Sequence, residues 1–278
     1  MIEHCLYPVA GFGTRFLPVT KTVAKELLPV LDKPLLQYAI EESYSCGILN
    51  HHFIINNFKT AIQDYLNPHP YLEKLISDTP KEQKLTEINE IIKKCNFTYY
   101  EQSQMLGLGH AILQSEEGLK SNSFAVILPD DLCSNKGKSV VQQLIDVHNA
   151  YPDKCIVAVE EVDIEEVHKY GVIDGCVDSE NKNLIMVSRM VEKPNIKEAP
   201  SRLAIIGRYV LTSEIFTELK NVKPDLNGEI QITDALKGLA LKDKVIALKF
   251  EGMRIDCGSV EGFIEANNYF LTQSKEKS

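Results

Sequence analysis

The sequence predicts an α/β protein in which a Rossmann-like mixed, mostly parallel sheet is flanked by helices, with β-rich insertions in the C-terminal half. Two observations support this class. Short, mostly apolar segments recur along the N-terminal half, and helical segments separate them. Apolar strands of this kind are typical of sheets buried on both faces. Strand–helix–strand alternation in turn favours crossover connections between parallel neighbours.

Five strands are predicted in the first 160 residues, at 6–9, 53–56, 97–100, 124–128 and 156–159. The segment 35–46 has helical spacing of its apolar residues and ends at Gly47, a residue suited to a left-handed helix end. Thr79-Pro80-Lys81-Glu82 has the pattern of a capping box with proline at the first helical position. We therefore expect another helix to begin there.

The second half of the chain is less regular. Strands are predicted at 171–177, 184–191 and 245–250, an apolar run at 203–211, and helices at 230–241 and 260–270. The sequence contains no Pro/Gly-rich linker, internal repeat or low-complexity segment. We expect one domain over residues 1–271, followed by a frayed tail at 272–278.

Composition excludes several classes of function. The 278 residues include 30 Lys and Arg against 39 Asp and Glu, a formal net charge of −9. This balance argues against nucleic acid and against an anionic membrane surface as partners. No apolar run approaches the length of about 18 residues that would predict a membrane span, and the first residues do not resemble a secretory signal.

Metal and redox chemistry based on sulfur is also disfavoured. The seven cysteines are scattered without a C-x-x-C pair, and the seven histidines form no H-x-x-x-H pair. This usage favours reduced thiols in a cytoplasm over a disulfide framework or a zinc site.

The loop after the first strand is the most informative segment. Gly11 and Gly13 permit close backbone approach, so that successive N–H groups can surround phosphate oxygens. Arg15, Lys21 and Lys25 add positive charge in an interval without acidic residues. A dinucleotide fingerprint is excluded because Phe16 occupies the place of the third glycine.

A P-loop is excluded as well. The partial match at Gly137-Lys138-Ser139 has Leu132 where the first glycine should stand. We interpret this segment as a loop that enters a helix, with Ser139 as the N-cap.

An apolar strand at 124–128 ends in Asp130 and Asp131. Ligands of open α/β sheets bind at the carboxyl ends of strands, and a carboxylate there is suited to Mg²⁺. A turn or helix cap is the alternative interpretation.

The segment from Ala10 to Pro34 resembles the signature of the sugar-nucleotide pyrophosphorylases, which are nucleotidyltransferases acting on sugar 1-phosphates. The signature G-x-G-T-R-x-L-P-x-T-K-x-x-P-K-E-x-L-P-x-x-x-K-P is matched by Gly11-Phe12-Gly13-Thr14-Arg15-Phe16-Leu17-Pro18-Val19-Thr20-Lys21, by Lys25-Glu26-Leu27-Leu28-Pro29 and by Lys33-Pro34. Ala24 departs from the family's usual proline, which should loosen the loop slightly. The resemblance extends to about Leu271 and implies a fold of the nucleotide-diphospho-sugar transferase type.

The resemblance also implies a reaction: Mg²⁺-dependent uridylyl transfer from UTP to glucose 1-phosphate, giving UDP-glucose and pyrophosphate. Thymidylyltransferases of the family typically have G-L-A-Q-A where this chain has Gly107-Leu108-Gly109-His110-Ala111, which favours UTP. A catalytically silent nucleotide-sugar sensor is a further alternative, although retention of the charged site residues argues against it. The family further implies a homodimer or homotetramer.

Site roles are carried over residue by residue. On the nucleotide side, the resemblance assigns substrate binding to Ala10, Gly11, Gly13, Thr14, Gln102 and Gly107. It assigns catalytic neutralisation of charge to Arg15, Lys25 and Lys193, and metal binding to Asp130 and Asp256. On the sugar side it assigns substrate binding to Gly171, Glu192 and Lys193.

The resemblance does not fix the role of two further features. The role of Asp131 is unassigned. The segment Gly228-Glu229-Ile230-Gln231-Ile232-Thr233-Asp234-Ala235 also matches the family, and we interpret it as a helix cap at a substrate or subunit interface.

Overall fold

A mixed sheet of nine strands organises the computed structural model, which describes residues 2–276. The strands of the chain are β1 (His4–Pro8), β2 (Pro29–Val30), β3 (Lys33–Pro34), β4 (Asn50–Ile55), β5 (Asn96–Glu101), β6 (Phe124–Ile127), β7 (Asp131–Ser134), β8 (Cys155–Glu161), β9 (Gly171–Val177), β10 (Leu184–Glu192), β11 (Leu203–Leu211), β12 (Val245–Lys249) and β13 (Met253–Asp256). The large sheet has the order β5-β4-β1-β6-β11-β8-β12-β10-β9, and β11 also pairs with β9. Two small sheets, β13-β7 and β2-β3, lie beside it.

The mixed α/β architecture is confirmed, but the parallel part of the sheet is smaller than predicted. Strands β5, β4, β1 and β6 are parallel, as are β8 and β12. Strand β11 lies between β6 and β8 and is antiparallel to both. Strands β9 and β10 form an antiparallel pair because the short connection between them leaves no room for a crossover helix.

Helices cover both faces of the sheet. They are α1 (Leu35–Ser45), α2 (Thr60–Tyr65), α3 (Pro70–Ile76), α4 (Thr86–Lys94), α5 (Gly107–Leu113), α6 (Glu116–Leu119), α7 (Val140–Ala150), α8 (Glu214–Asn221), α9 (Ile232–Ala240) and α10 (Val260–Glu276). Apolar residues of α1, α2, α4 and α7 pack in one core cluster, and those of α5, α8 and α9 pack in another. The alternation of side chains along the strands supplies the other half of each cluster.

Helix ends agree with prediction in two places. Gly47, just beyond α1, has a φ of 81°, as expected for a left-handed helix end. Ser139 caps α7, because its hydroxyl accepts a hydrogen bond from the Gln142 amide at 3.2 Å. The Gly137 segment is therefore a helix entry, as interpreted from the sequence.

The predicted capping box is wrong. Helix α4 begins at Thr86, after a 3₁₀ turn at Glu82–Leu85. The Thr79 hydroxyl accepts from the amide of Lys81, and the Glu82 carboxylate accepts from the amide of Asp78, so the reciprocal bonds of a capping box are not made. The local pattern closes a turn rather than starting the helix.

The closing helix is longer than predicted. Helix α10 continues to Glu276, so the predicted tail is helical over residues 272–276, and residues 277–278 lie outside the described part of the chain. Among residues 2–276, no helix combines the length and apolar character needed to cross a bilayer.

Candidate active site

The loop after β1 is held in a shape that only glycine permits at one position. Gly13 has a φ of 65°, and a Cβ added there would lie 2.9 Å from the Cβ of Lys25. The Thr20 hydroxyl donates to the Gly13 carbonyl at 2.8 Å. The buried Asn56 amide donates to the Ala10 carbonyl. These contacts fix the loop against the carboxyl ends of β1 and β4.

Lys25 and Asp130 form an ion pair next to this loop, with 2.6 Å between Nζ and Oδ2. Burial alone would lower the pKa of Lys25, but the carboxylates of Asp130 and Glu26 outweigh it and raise that pKa. Burial opposes ionisation of Asp130, yet the Lys25 ammonium holds the pKa of Asp130 below its usual value. Both groups are therefore charged at neutral pH.

Asp256 lies beside this pair because strands β7 and β13 are antiparallel neighbours. The Cys257 amide donates to the Asp130 carbonyl at 2.7 Å. A Cβ added to Gly258 would lie 2.9 Å from Asp256 Oδ1, 3.4 Å from Asp130 Oδ2 and 3.6 Å from Arg15 Nη1. Two carboxylates and a guanidinium, far apart in sequence, thus converge on one small residue.

The donor set at Gly258 fits Mg²⁺. This ion is usually bound by one or two carboxylates, with substrate phosphates and water completing its shell. Within residues 2–276, no group of three or more His, Cys, Asp and Glu side chains is arranged to hold a metal.

Asp131, which the sequence left unassigned, has a structural partner set. Its Oδ2 accepts from the Gly207 amide at 2.7 Å, and its Oδ1 lies 3.0 Å from Arg254 Nε. Asp131 therefore joins β7 to β11 and to Arg254, whereas its neighbour Asp130 faces the cavity.

Arg254 is a site residue that the sequence interpretation missed. It is 6% exposed, lies 3.0 Å from Glu160 Oε1, and donates to the Tyr170 hydroxyl at 3.0 Å. Its guanidinium also lies 4.0 Å from Asp256 Oδ2. The available signal was its position two residues before Asp256 on β13, which places both side chains on one face of the strand.

A cavity of about 420 Å³ opens between the loop and α5. Eight predicted site residues line it: Ala10, Gly11, Gly13, Thr14, Lys25, Gln102, Gly107 and Asp130. Gln102 is 4% exposed, and its amide nitrogen donates to the Gly107 carbonyl at 3.2 Å. Gly107 has a φ of 89°, and a Cβ there would lie 3.0 Å from the Ile230 carbonyl, so a larger residue would not fit.

Gly171, Glu192 and Lys193 come together where β9 and β10 pair. The Thr233 hydroxyl donates to Glu192 Oε2 at 2.6 Å, and a Cβ on Gly171 would lie 2.7 Å from the same hydroxyl. Lys193 has a φ of 44°, an unusual conformation for a residue with a side chain, and its Nζ lies 3.6 Å from Glu192 Oε1. Strained backbone of this kind is concentrated at binding sites.

The segment 228–235 connects these two groups of residues. The Ile230 amide donates to the Leu106 carbonyl at 2.8 Å, and the Gly109 amide donates to the Ile230 carbonyl at 2.9 Å. Glu229 lines the cavity, and Thr233 holds Glu192. The segment therefore lies between the cavity and the β9–β10 residues.

The segment contains the N-cap position of a helix, as interpreted from the sequence, but no side chain caps that helix. Helix α9 begins at Ile232, and the preceding Gln231 makes no side-chain capping bond. Its amide instead donates to Asp225 and Glu229 at 3.0 and 2.9 Å. The Gln231 side chain therefore stabilises the loop before α9 and not the end of the helix.

Known proteins are similar to this chain over nearly its whole length. A family model described as nucleotidyl transferase matches residues 9–273. The chain is 47% identical over 271 residues to UTP–glucose-1-phosphate uridylyltransferase of Pseudomonas aeruginosa, covering 97% of this chain and 96% of that protein. It is similar to a solved structure of apo UDP-glucose pyrophosphorylase, with a TM-score of 0.94, 49% identity, and coverage of 99% of this chain and 100% of that one. A UDP-glucose pyrophosphorylase structure in complex with UDP-glucose has a TM-score of 0.90, 47% identity, and coverage of 98% and 100%.

Proposed function

The chain belongs to the nucleotidyl transferase family, and on this premise we propose that it transfers the uridylyl group of UTP to glucose 1-phosphate, forming UDP-glucose and pyrophosphate. The observation that carries this proposal is the convergence of Arg15, Asp130 and Asp256 on Gly258 beside Lys25. A cluster of both charge signs suits a reaction between two phosphates, because it can neutralise substrate charge and hold a divalent cation.

The reaction is a single in-line displacement. An oxygen of the glucose 1-phosphate phosphate forms a bond to the α-phosphorus of UTP, while the bond from that phosphorus to the bridging oxygen breaks and its electron pair leaves with pyrophosphate. The nucleophile is already an anion, so no general base is required. Alignment and neutralisation of charge are the tasks that remain for the protein.

Different residues carry out these tasks. Ala10, Gly11, Gly13 and Thr14 place main-chain groups around the nucleotide phosphates, and Gln102 with Gly107 binds the base. Arg15 and Lys25 stabilise the leaving pyrophosphate, and Lys193 holds the attacking phosphate. Glu192 accepts hydrogen bonds from sugar hydroxyls, and Gly171 lets the main chain approach the sugar.

Asp130 and Asp256 would hold Mg²⁺, the cofactor that we propose. When bound, the ion offsets the negative charge of the phosphates. Lys25 keeps Asp130 ionised, and the Gly258 amide, which donates to Asp256 Oδ1 at 2.9 Å, fixes the second carboxylate.

The test is pyrophosphate release from glucose 1-phosphate with UTP or dTTP, each with MgCl₂ or with EDTA. We expect turnover to be faster with UTP and to be lost in EDTA. Faster turnover with dTTP would replace the uridylyl assignment by thymidylyl transfer. No turnover with either nucleotide would favour a silent nucleotide-sugar sensor.

Replacing Thr233 by valine tests the sugar side separately. The variant removes the hydroxyl that donates to Glu192 Oε2 at 2.6 Å and keeps the β-branched shape. We expect KM for glucose 1-phosphate to rise about three- to tenfold, the worth of one hydrogen bond, with KM for UTP unchanged. The matched control is Thr217→Val on the exposed face of α8. Equal KM values for glucose 1-phosphate in both variants would show that the Thr233–Glu192 hydrogen bond does not support the sugar site.

We further propose that residues 1–271 act as one domain of a cytoplasmic homodimer or homotetramer. Family resemblance supports the assembly, and the scattered cysteines support a reducing compartment. Static light scattering of the purified chain gives the assembly mass, and a monomeric mass would contradict this proposal.

A further inference from the structure

His110 stands between the side-chain amides of two glutamines. The Gln102 amide nitrogen lies 3.0 Å from His110 Nδ1, and the Gln114 amide nitrogen lies 3.3 Å from His110 Nε2. Burial lowers the pKa of His110, so the ring is neutral at physiological pH. A neutral imidazole has one N–H and one acceptor nitrogen. It can therefore accept a hydrogen bond from only one of these two amides.

Gln102 is the glutamine whose amide orientation is fixed. Its nitrogen also faces the Gly107 carbonyl at 3.2 Å, where the amide oxygen would place two acceptors together. Gln102 is 4% exposed, so a mismatched contact could not be relieved by water. It follows that His110 Nδ1 is the acceptor and that the ring proton is on Nε2.

Gln114 can adapt to this tautomer. It is only half-buried, so its amide can turn to offer Oε1 to the Nε2–H of His110. Water can then replace the 3.1 Å bond that the Gln114 nitrogen makes to the His110 carbonyl. Gln114, whose amide can turn, is not among the residues that line the cavity, whereas Gln102, whose amide is fixed, lines it.

Fixing the nitrogen of Gln102 leaves its oxygen for a ligand. No donor among residues 2–276 hydrogen-bonds to Gln102 Oε1, and Gln102 lines the cavity. Uracil carries an N–H at ring position 3, where cytosine carries an acceptor nitrogen. An amide held with its oxygen toward the base accepts from uracil and opposes cytosine.

We propose that His110 is a positioning residue that fixes the Gln102 amide and thereby makes the site select uracil over cytosine. This inference rests on the proposed function, since it assumes that a pyrimidine nucleotide occupies the cavity. Without an acceptor at position 110, Gln102 is held by the Gly107 carbonyl alone, and part of its population turns its nitrogen to the base.

The experiment measures dissociation constants of UTP and CTP by isothermal titration calorimetry for the full chain and three variants. His110→Leu removes the acceptor. His110→Asn restores one, because Oδ1 of asparagine can occupy the place of Nδ1. Gln114→Met is the matched control that leaves the Gln102–His110 bond intact. We expect the preference for UTP over CTP to fall about three- to tenfold in His110→Leu and to stay near the wild-type value in the other two.

The inference would be overturned if His110→Leu kept the wild-type preference for UTP over CTP. It would also be overturned if His110→Asn lost as much of that preference as His110→Leu. His110→Ala is a second acceptor-free variant should the leucine variant not fold, as judged by circular dichroism. Turnover is recorded in parallel. A wild-type chain that binds UTP selectively but forms no UDP-glucose would overturn the proposed function and leave the role of His110 standing.

Discussion

Replacing Asp130 by asparagine is expected to lower kcat about a thousandfold while leaving the fold intact. The change keeps the shape of the side chain but removes the charge that pairs with Lys25 Nζ at 2.6 Å and that would hold Mg²⁺ with Asp256. Losing a single preorganised charged or polar group commonly costs roughly 10²- to 10³-fold in rate, and here a metal ligand is lost as well. The Lys25 side chain, which loses its charged partner, is 22% exposed, so water can solvate its ammonium in the variant.

The measurements are steady-state kcat for pyrophosphate release and the midpoint of urea unfolding. The neighbouring Asp131→Asn is the matched control, because Asp131 carries the same functional group one residue away. It contacts the Gly207 amide and Arg254 instead of the cavity. We expect Asp131→Asn to lower the unfolding midpoint more than Asp130→Asn does. Near-normal turnover of Asp130→Asn would remove Asp130 from the reaction.

The second large effect is on stability. Arg208 is 1% exposed, and its Nε and Nη2 donate to the same carboxylate oxygen of Glu42 at 3.0 and 2.8 Å. Its Nη1 donates to the carbonyls of Leu128 and Gly207 at 3.2 and 3.0 Å. Replacing Arg208 by methionine leaves a carboxylate and two carbonyls without these donors. We expect the free energy of unfolding to fall by about 3–5 kcal/mol, as for other broken buried pairs.

Urea unfolding at pH 7 measures this loss. The matched control is Arg202→Met, because Arg202 also pairs with a glutamate, Glu161, but both side chains are about half exposed (51% and 52%). Exposed pairs of this kind contribute about 0–1 kcal/mol, so the control should unfold nearly as the wild type does. A change below about 1 kcal/mol in Arg208→Met would show that the Glu42 pair is not a main support of the sheet.

Much of the fold was predictable because its signals are local. The apolar segments at 124–128 and 156–159 became strands β6 and β8, and Gly47 ended α1 as expected. The wrong predictions concern the order and direction of strands within the sheet. Nothing in the run 203–211 indicates that β11 enters between β6 and β8 in the antiparallel sense, since that position depends on pairing with distant strands.

The candidate site was likewise predictable only in part. Its loop residues were found by motif, and the structure brings Asp130, Asp256 and Arg15 together as that resemblance implied. Arg254 was missed entirely. His110 and Thr233 stood in segments that match the family, but no role was assigned to either residue. The contacts of His110 with Gln102 and of Thr233 with Glu192 become visible only in the structure, because each partner lies in a different element.

The proposed active site is tested most directly by a crystal structure of this chain with UDP-glucose bound. We expect the uracil at Gln102 and Gly107 and the glucosyl group at Gly171 and Glu192. We expect the two phosphates between them, beside Lys25 and Asp130. A hexose bound away from the β9–β10 pair, or a base outside the cavity lined by Gln102, would contradict the claim that these residues form one active site.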